Sequence, residues 1–270
     1  MARLQPRFRD EQIGIITSFI RHVLEDSGYR GLVVGMSGGL DSSLVAKLCA
    51  DAVGANKVVG AWSGEGPAKG RDYQDTQDWS RVLGIELRRF DISPLVDDFR
   101  RSLKIRKSER LAFGNIKARV RMIILYYIAN TEKRLVMGTG NKSEIATAYY
   151  SKFGDGGVDF LPIGDLYKTQ VREMAAHLGV PKRIIGKIPT AGLWAGQTDE
   201  DELGVRYEVL DRILLGIELH LTPEEIVSQA DVDLKVVQHV EKLVASGVHK
   251  RKPPLIPKVG IRTFGLDWRE

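Results

Sequence analysis

The sequence predicts an α/β protein, a doubly wound parallel sheet flanked by helices, with a helical C-terminal portion. Three observations carry this. Short strand-like runs occur at residues 32–37, 58–62, 85–92 and 134–140; stretches of helical periodicity separate them; and the first and last runs end in glycine-rich turns. Strands alternating with helices at this spacing imply right-handed crossovers, and therefore parallel strands in a Rossmann-like arrangement.

Residues 10–25 place Ile13, Ile16, Ile20 and Val23 three or four apart, which predicts an amphipathic helix packed across a neighbour. LVVGMS (32–37) is a short apolar strand ending in small residues, and GGLDSSLVAKLCADAVG (38–54) returns to helical spacing. The unit repeats as VVGAW (58–62) with a polar helix over 72–83, then as IELRRFDI (85–92) with a helix over 95–103. A helix is predicted over 115–130, with Ile123, Ile124 and Tyr127 forming an apolar stripe that suits either a core or an interface, and RLVMGTG (134–140) is a further strand closed by glycines. In open parallel sheets ligands bind at the carboxyl ends of strands, so the exits after Met36 and Met137 should open onto one crevice. Residues 152–170 are broken by glycines and form no single regular element. Helices are predicted over 168–178, 203–214, 223–229 and 234–245; residues 189–202 form a loop and a candidate lid, and KPPLIPKV (252–259) makes an extended finish.

Composition bounds the function. A chain of 270 residues that is 43% hydrophobic and 28% charged can bury one substantial core, so a single domain over 1–270 is expected. The longest apolar runs are too short to span a bilayer, and the charged start MARLQPRFRDEQ lacks the apolar centre of a secretory signal, which predicts a cytoplasmic protein with no membrane partner. The single cysteine, Cys49, excludes an internal disulfide and a multi-cysteine zinc site, and its apolar surroundings predict a buried thiol. Forty Lys plus Arg against 35 Asp plus Glu gives a net charge of +5, interleaved along the chain, which suits a nucleotide polyphosphate. With no separate basic appendage, no nucleic-acid partner is expected.

GMSGGLDSS (35–43) carries the most chemistry. Consecutive small residues at a strand-to-helix turn let backbone N–H groups point into a concavity, and the helix N-terminus adds about half a positive charge, so a polyphosphate is the natural occupant. Gly35, Met36, Ser37, Gly38, Gly39, Leu40, Asp41, Ser42 and Ser43 are thereby candidate polyphosphate-binding residues, with Asp41 able to hold a divalent cation on the phosphates. The stretch is neither GxxxxGK[ST] nor GxGxxG.

SGGLDSS resembles the SGGxDS signature of the ATP pyrophosphatase (PP-loop) family, whose members cleave ATP between its α and β phosphates. FGNIKARVRM (113–122), GTGNKSE (138–144), SKFGDGGVDFLPIGDLYKTQVR (151–172), GKIPTAGLWAGQTDEDELG (186–204) and HKRKPP (249–254) resemble, in order and spacing, ammonia-dependent NAD synthetases. The resemblance spans about residues 10–260. It implies that deamido-NAD, ATP and ammonia become NAD, AMP and pyrophosphate through a deamido-NAD adenylate. By the same resemblance Thr139, Lys168 and Thr190 contact ATP, and Asp41 and Glu144 hold magnesium. Arg119 (with Arg121 its alternative), Lys152, Asp159, His249 and Lys250 bind deamido-NAD, and the protein is a homodimer with the dinucleotide at the interface.

Chemistry gives two of these residues an active part. Lys168 would stabilise the departing pyrophosphate as a point charge. Asp155 would bind ammonium and take its proton. No protein nucleophile is required, and 270 residues leave no room for an appended glutaminase, so free ammonia is the expected nitrogen donor. The alternative is another PP-loop adenylating enzyme such as a tRNA-thiolating enzyme, against which the single cysteine counts. GEGPAKGRD (64–72) carries no assignable role.

Overall fold

The computed structural model describes residues 4–261. Of the span 1–270 expected to form one domain, residues 1–3 and 262–270 lie outside this description. In chain order the elements are α1 (Glu11–Ser27), β1 (Gly31–Gly35), α2 (Leu40–Val53), β2 (Val58–Gly64), α3 (Arg71–Leu83), β3 (Glu86–Asp91), α4 (Ser93–Ser102), α5 (Arg110–Glu132) and β4 (Arg134–Met137). There follow α6 (Lys142–Thr147), α7 (Lys168–His177), α8 (Lys182–Ile185), α9 (Asp199–Leu203), α10 (Tyr207–Glu218), α11 (Pro223–Ala230), α12 (Leu234–Ser246) and α13 (Val248–Arg251).

The four strands are all parallel, in the order β3-β2-β1-β4. The chain winds outward from β1 to β2 and β3, then returns to lay β4 on the other side of β1. The strand order thus reverses between β1 and β4, and in such sheets a crevice forms beyond the carboxyl ends at that reversal. Alternation along the strands sorts the core into layers. Leu32 and Val34 of β1 join Leu44 and Leu48 of α2, Ile20 of α1 and Met174 of α7, whereas Val33, Val59 and Val136 pack under Ile128 and Ala129 of α5. Burying each such side chain contributes about 1.5–3 kcal/mol relative to exposure. A separate helical core gathers Tyr207, Leu210, Ile213, Ile226, Val237 and Val240 from α10, α11 and α12.

β4 is an edge strand, and the glycine-broken segment lies along it. Asp159 N–H donates to the Val136 carbonyl (3.0 Å), Gly138 N–H donates to the Phe160 carbonyl (2.7 Å), and Phe160 bridges Met137 in parallel.

The helix expected over 203–214 forms over Tyr207–Glu218, and the end of the stretch expected to be a loop over 189–202 is helical in α9. Gly204, in the left-handed region at φ 68°, ends α9, and extended Arg206 starts α10. The helices α6, α8 and α13 went unpredicted because four to six residues are too few to display a period. Among the described residues no helix is long and apolar enough to cross a membrane. Cys49 is buried in α2, and burial pushes its thiol up.

Candidate active site

Beyond β1 the backbone makes a tight turn into α2. Gly38 is left-handed (φ 76°), and a Cβ there would come within 2.3 Å of the Asp72 carbonyl oxygen, so the position accepts glycine alone. Gly39 N–H donates to Ser37 Oγ (3.2 Å), Ser43 Oγ donates to the Gly39 carbonyl (2.8 Å), and the Ser37 and Ser42 hydroxyls are 3.1 Å apart. Behind the turn the buried indole of Trp79 donates to the Ser43 carbonyl at 3.0 Å.

A cleft of about 620 Å³ opens over this turn, and the exits of β1 and β4 both face it. Gly35, Met36, Ser37, Gly39, Leu40, Asp41 and Ser42 line it; Gly38 shapes the turn from behind and Ser43 is fully buried beneath it. Thr139, Glu144, Lys168 and Thr190, from four other elements, line the same cleft.

One wall carries a buried ammonium. Lys168, at the start of α7 and 3% exposed, donates to Asp41 Oδ2 at 2.6 Å and to Glu144 Oε1 at 3.2 Å. Asn141 organises the pair: its side chain donates to Asp41 Oδ1 (3.0 Å) and accepts from Glu144 N–H (3.1 Å), while Glu144 Oε2 accepts from Asn141 N–H (3.2 Å). Burial opposes the charge of Lys168, but the two carboxylates hold its pKa raised. Burial pushes the Glu144 carboxyl up to about 8, the charges of Asp41 and Asp199 adding to this and Lys168 opposing it.

Asp41 and Glu144 were expected to share a magnesium ion; here they share the Lys168 ammonium. Among the described residues no group of three or more His, Cys, Asp or Glu side chains is set as a metal site. The donor set is nonetheless one that a hard cation accepts. Asp199 adds a buried carboxylate with Oδ1 unpartnered, held by the Tyr207 hydroxyl at 3.2 Å on Oδ2 and raised in pKa by burial. Nothing in the sequence singles out Asp199 from the acids that follow it, Glu200, Asp201 and Glu202.

Asp155 lines the same cleft. Its Oδ1 accepts from Ser151 N–H at 2.8 Å, and it keeps an exposed edge on the cleft although protein surrounds the carboxyl closely. Burial raises its pKa, opposed by the Ser151 hydrogen bond, Lys250 and Arg121. Lys250 donates to the carbonyls of Ala148 (2.8 Å) and Tyr150 (2.6 Å), and its pKa is lowered by burial. Arg121 also lines the cleft and donates to the Ser63 carbonyl (3.1 Å), whereas Arg119 lies outside it, donating to the Lys152 carbonyl (3.2 Å). Lys152 in turn donates to the His249 carbonyl (2.9 Å), so Arg119, Lys152 and His249 form a chain outside the cleft lining. Asp159 has both oxygens engaged, by the Tyr126 hydroxyl (2.9 Å) and Val136 N–H (2.8 Å), and also lies outside the lining.

Residues 189–193 run along the cleft. The nearly buried Lys117 of α5 holds them, donating to the Leu193 carbonyl at 2.9 Å while pairing with Glu65 at 2.7 Å. Glu65 thereby gives the unassigned stretch 64–72 a place at the site.

The profile of the NAD synthase family matches residues 12–254. The NH(3)-dependent NAD(+) synthetase of Methanococcoides burtonii is 45% identical over 243 residues, covering 90% of this chain and 92% of that one. Among solved structures, an NMN synthetase from Francisella tularensis (32% identity, TM-score 0.81) and an NH3-dependent NAD synthetase from Campylobacter jejuni (26%, 0.78) each align over 92% of this chain and 98% of their own. With a phosphate turn, a buried ammonium and a cleft carboxylate in one parallel sheet, and a profile match over most of its length, the chain belongs to the NAD synthase family.

Proposed function

We propose that the chain is an AMP-forming carbon–nitrogen ligase that converts deamido-NAD, ATP and ammonia to NAD, AMP and pyrophosphate. The observation that carries this is the presence, in one cleft, of a buried ammonium bound to the phosphate turn (Lys168 on Asp41) and a carboxylate of raised pKa (Asp155).

A nicotinate carboxylate is a poor acyl donor because its oxygen is a very poor leaving group. Its attack on the α-phosphate of ATP forms the acyl-adenylate and releases pyrophosphate. The turn from Gly35 to Ser43, with Thr139 and Thr190, holds the nucleotide, and Lys168 offsets charge on the departing pyrophosphate. A magnesium ion carried on the triphosphate would take oxygen ligands from Asp41 and Glu144 and supply further neutralisation of phosphate charge. Ammonium gives a proton to Asp155, and the resulting ammonia attacks the adenylate carbonyl and expels AMP. Arg119, Lys152, Asp159, His249 and Lys250 are assigned to deamido-NAD; Lys250 has the most direct support because it lines the cleft.

We further propose a homodimer in which the dinucleotide lies at the interface. Ile123 and Tyr127 of α5 stand 57% and 66% exposed on one stripe, which a partner would cover. Sedimentation should find a dimer in the native chain and a monomer after Ile123→Lys with Tyr127→Lys. A native monomer would dispose of the interface. The whole chain is taken as one catalytic domain, and its one cysteine, buried and unpaired, suits the cytoplasm.

The deciding experiment supplies the purified chain with deamido-NAD, ATP, magnesium and ammonium. NAD, AMP and pyrophosphate are expected in equal amounts, with glutamine a much poorer donor. Because one neighbour is named an NMN synthetase, nicotinate mononucleotide is tested beside deamido-NAD; the larger kcat/KM is expected for the dinucleotide. Formation of ADP, or no pyrophosphate with either acid, would refute the proposal.

A further inference from the structure

Lys187 also lines the cleft, and its partners there are Gly38, Asp72 and Asp75. It follows α8 and precedes Thr190 by three residues. Its ammonium donates to the Gly38 carbonyl at 2.7 Å and to Asp72 Oδ1 at 2.8 Å, and lies 2.6 Å from Asp75 Oδ2. Asp75, buried on α3, also accepts from Arg183 of α8 at 2.6 Å, and Arg183 reaches Asp78 at 3.1 Å. Burial favours protonation of Asp75, but Lys187 and Arg183 hold its carboxyl below its ordinary value, so Asp75 stays ionised at neutral pH.

The geometry bears on the phosphate turn. In a planar trans peptide the carbonyl and the following N–H point in opposite directions. Fixing the Gly38 carbonyl on Lys187 therefore turns the Gly39 N–H the other way, towards Ser37 Oγ and the cleft, where a phosphate-binding concavity needs its donors. The left-handed backbone of Gly38 permits this orientation; the ammonium holds it. Two hydrogen bonds, to Gly38 and Asp72, and an ion pair with Asp75 hold the Lys187 ammonium, so although it borders the cleft its charge is engaged by the protein.

We propose that Lys187 is a positioning residue for ATP: it orients the Gly38–Gly39 peptide of the phosphate turn and ties that turn to the segment carrying Thr190. One side chain thereby sets the spacing of two sides of the nucleotide site. This role rests on the ATP-dependent reaction proposed above.

The test measures steady-state kinetics and calorimetric ATP binding for the full chain and for Lys187→Met, Lys187→Arg and Asp72→Asn. Lys187→Met should raise both KM and Kd for ATP by about 10- to 100-fold, the scale of a misplacement near 1 Å, with KM for deamido-NAD within about two-fold of wild type. Lys187→Arg should restore most of the loss. Asp72→Asn should weaken ATP binding in the same direction, because it loosens the ammonium from Gly38. Tighter ATP binding by Asp72→Asn would make Lys187 a direct phosphate ligand and overturn the role. So would an unchanged ATP Kd in Lys187→Met, or equal losses for both substrates. If Lys187→Met does not fold, Asp72→Asn decides alone, since Asp72 is 71% exposed and its replacement is isosteric. A wild-type chain that released no pyrophosphate would defeat the reaction itself, an outcome distinct from failure of this role.

Discussion

Lys168→Met is expected to lose both stability and chemistry. The ammonium is 3% exposed and is the shared partner of Asp41 and Glu144, whose side chains are 19% and 16% exposed. Breaking a buried ion pair by deleting one member leaves uncompensated charge and costs about 3–5 kcal/mol. Glu144 limits the uncompensated charge, since burial already favours its protonated form and the loss of Lys168 favours it further, while Asn141 still donates to Asp41. The catalytic deficit has a separate origin: a preorganised charge aimed at departing pyrophosphate is worth about 10²–10³ in kcat. Urea unfolding reports the first effect and the pre-steady-state burst of pyrophosphate the second. A variant as stable as wild type that formed adenylate at the wild-type rate would remove Lys168 from the mechanism.

Asp155→Asn separates the two halves of the reaction. Adenylate formation should survive, because the partners of Asp155 are Ser151, Lys250 and Arg121 rather than groups of the phosphate turn, whereas amidation should fall by about 10²–10⁴, the usual worth of a positioned base. Rapid-quench measurement of pyrophosphate and NAD distinguishes the steps, and equal loss of both would count against the assignment. Stability supplies an independent check through the sign of the pKa shift. Burial raises the Asp155 carboxyl in the folded state, so its contribution to stability is fully present below the unfolded value and declines as pH rises through the folded one. At neutral pH the charged form therefore burdens the fold, and asparagine, which can still accept from Ser151 N–H, should melt no lower than wild type. In the wild type, amidation should fall as pH drops through the same raised value.

The sheet was legible because buried parallel strands read as short apolar runs and glycines punctuate their exits; β1 and β4 and the crevice between them followed directly. Residues with local signatures were legible too, above all the phosphate turn, where several small residues and an acid share one junction. What stayed hidden was pairing at long range. Lys168, Asp41 and Glu144 were each named, but their convergence on one ammonium spans more than a hundred residues of chain and leaves no periodic trace. Lys117, Lys187 and Asp199 have no local signature, because the burial of Lys117 and Asp199 and the long-range bond of Lys187 to Gly38 belong to the assembled fold. For the dinucleotide side, Arg121 rather than Arg119 faces the cleft, a distinction of two positions on α5 that helix phase alone left open.

The hydrogen bonds between β4 and the stretch around Asp159 and Phe160 have a consequence for solubility. A terminal strand with free amide and carbonyl groups is a template onto which other chains can add. Here the stretch that brings Asp155 to the cleft also occupies those groups at Val136 and Gly138, so it works as a selvedge for the sheet as well as a mount for chemistry. Lesions that unpick this hem would expose a sticky border while disarming the enzyme, which ties retention of activity to avoidance of aggregation in the same few residues.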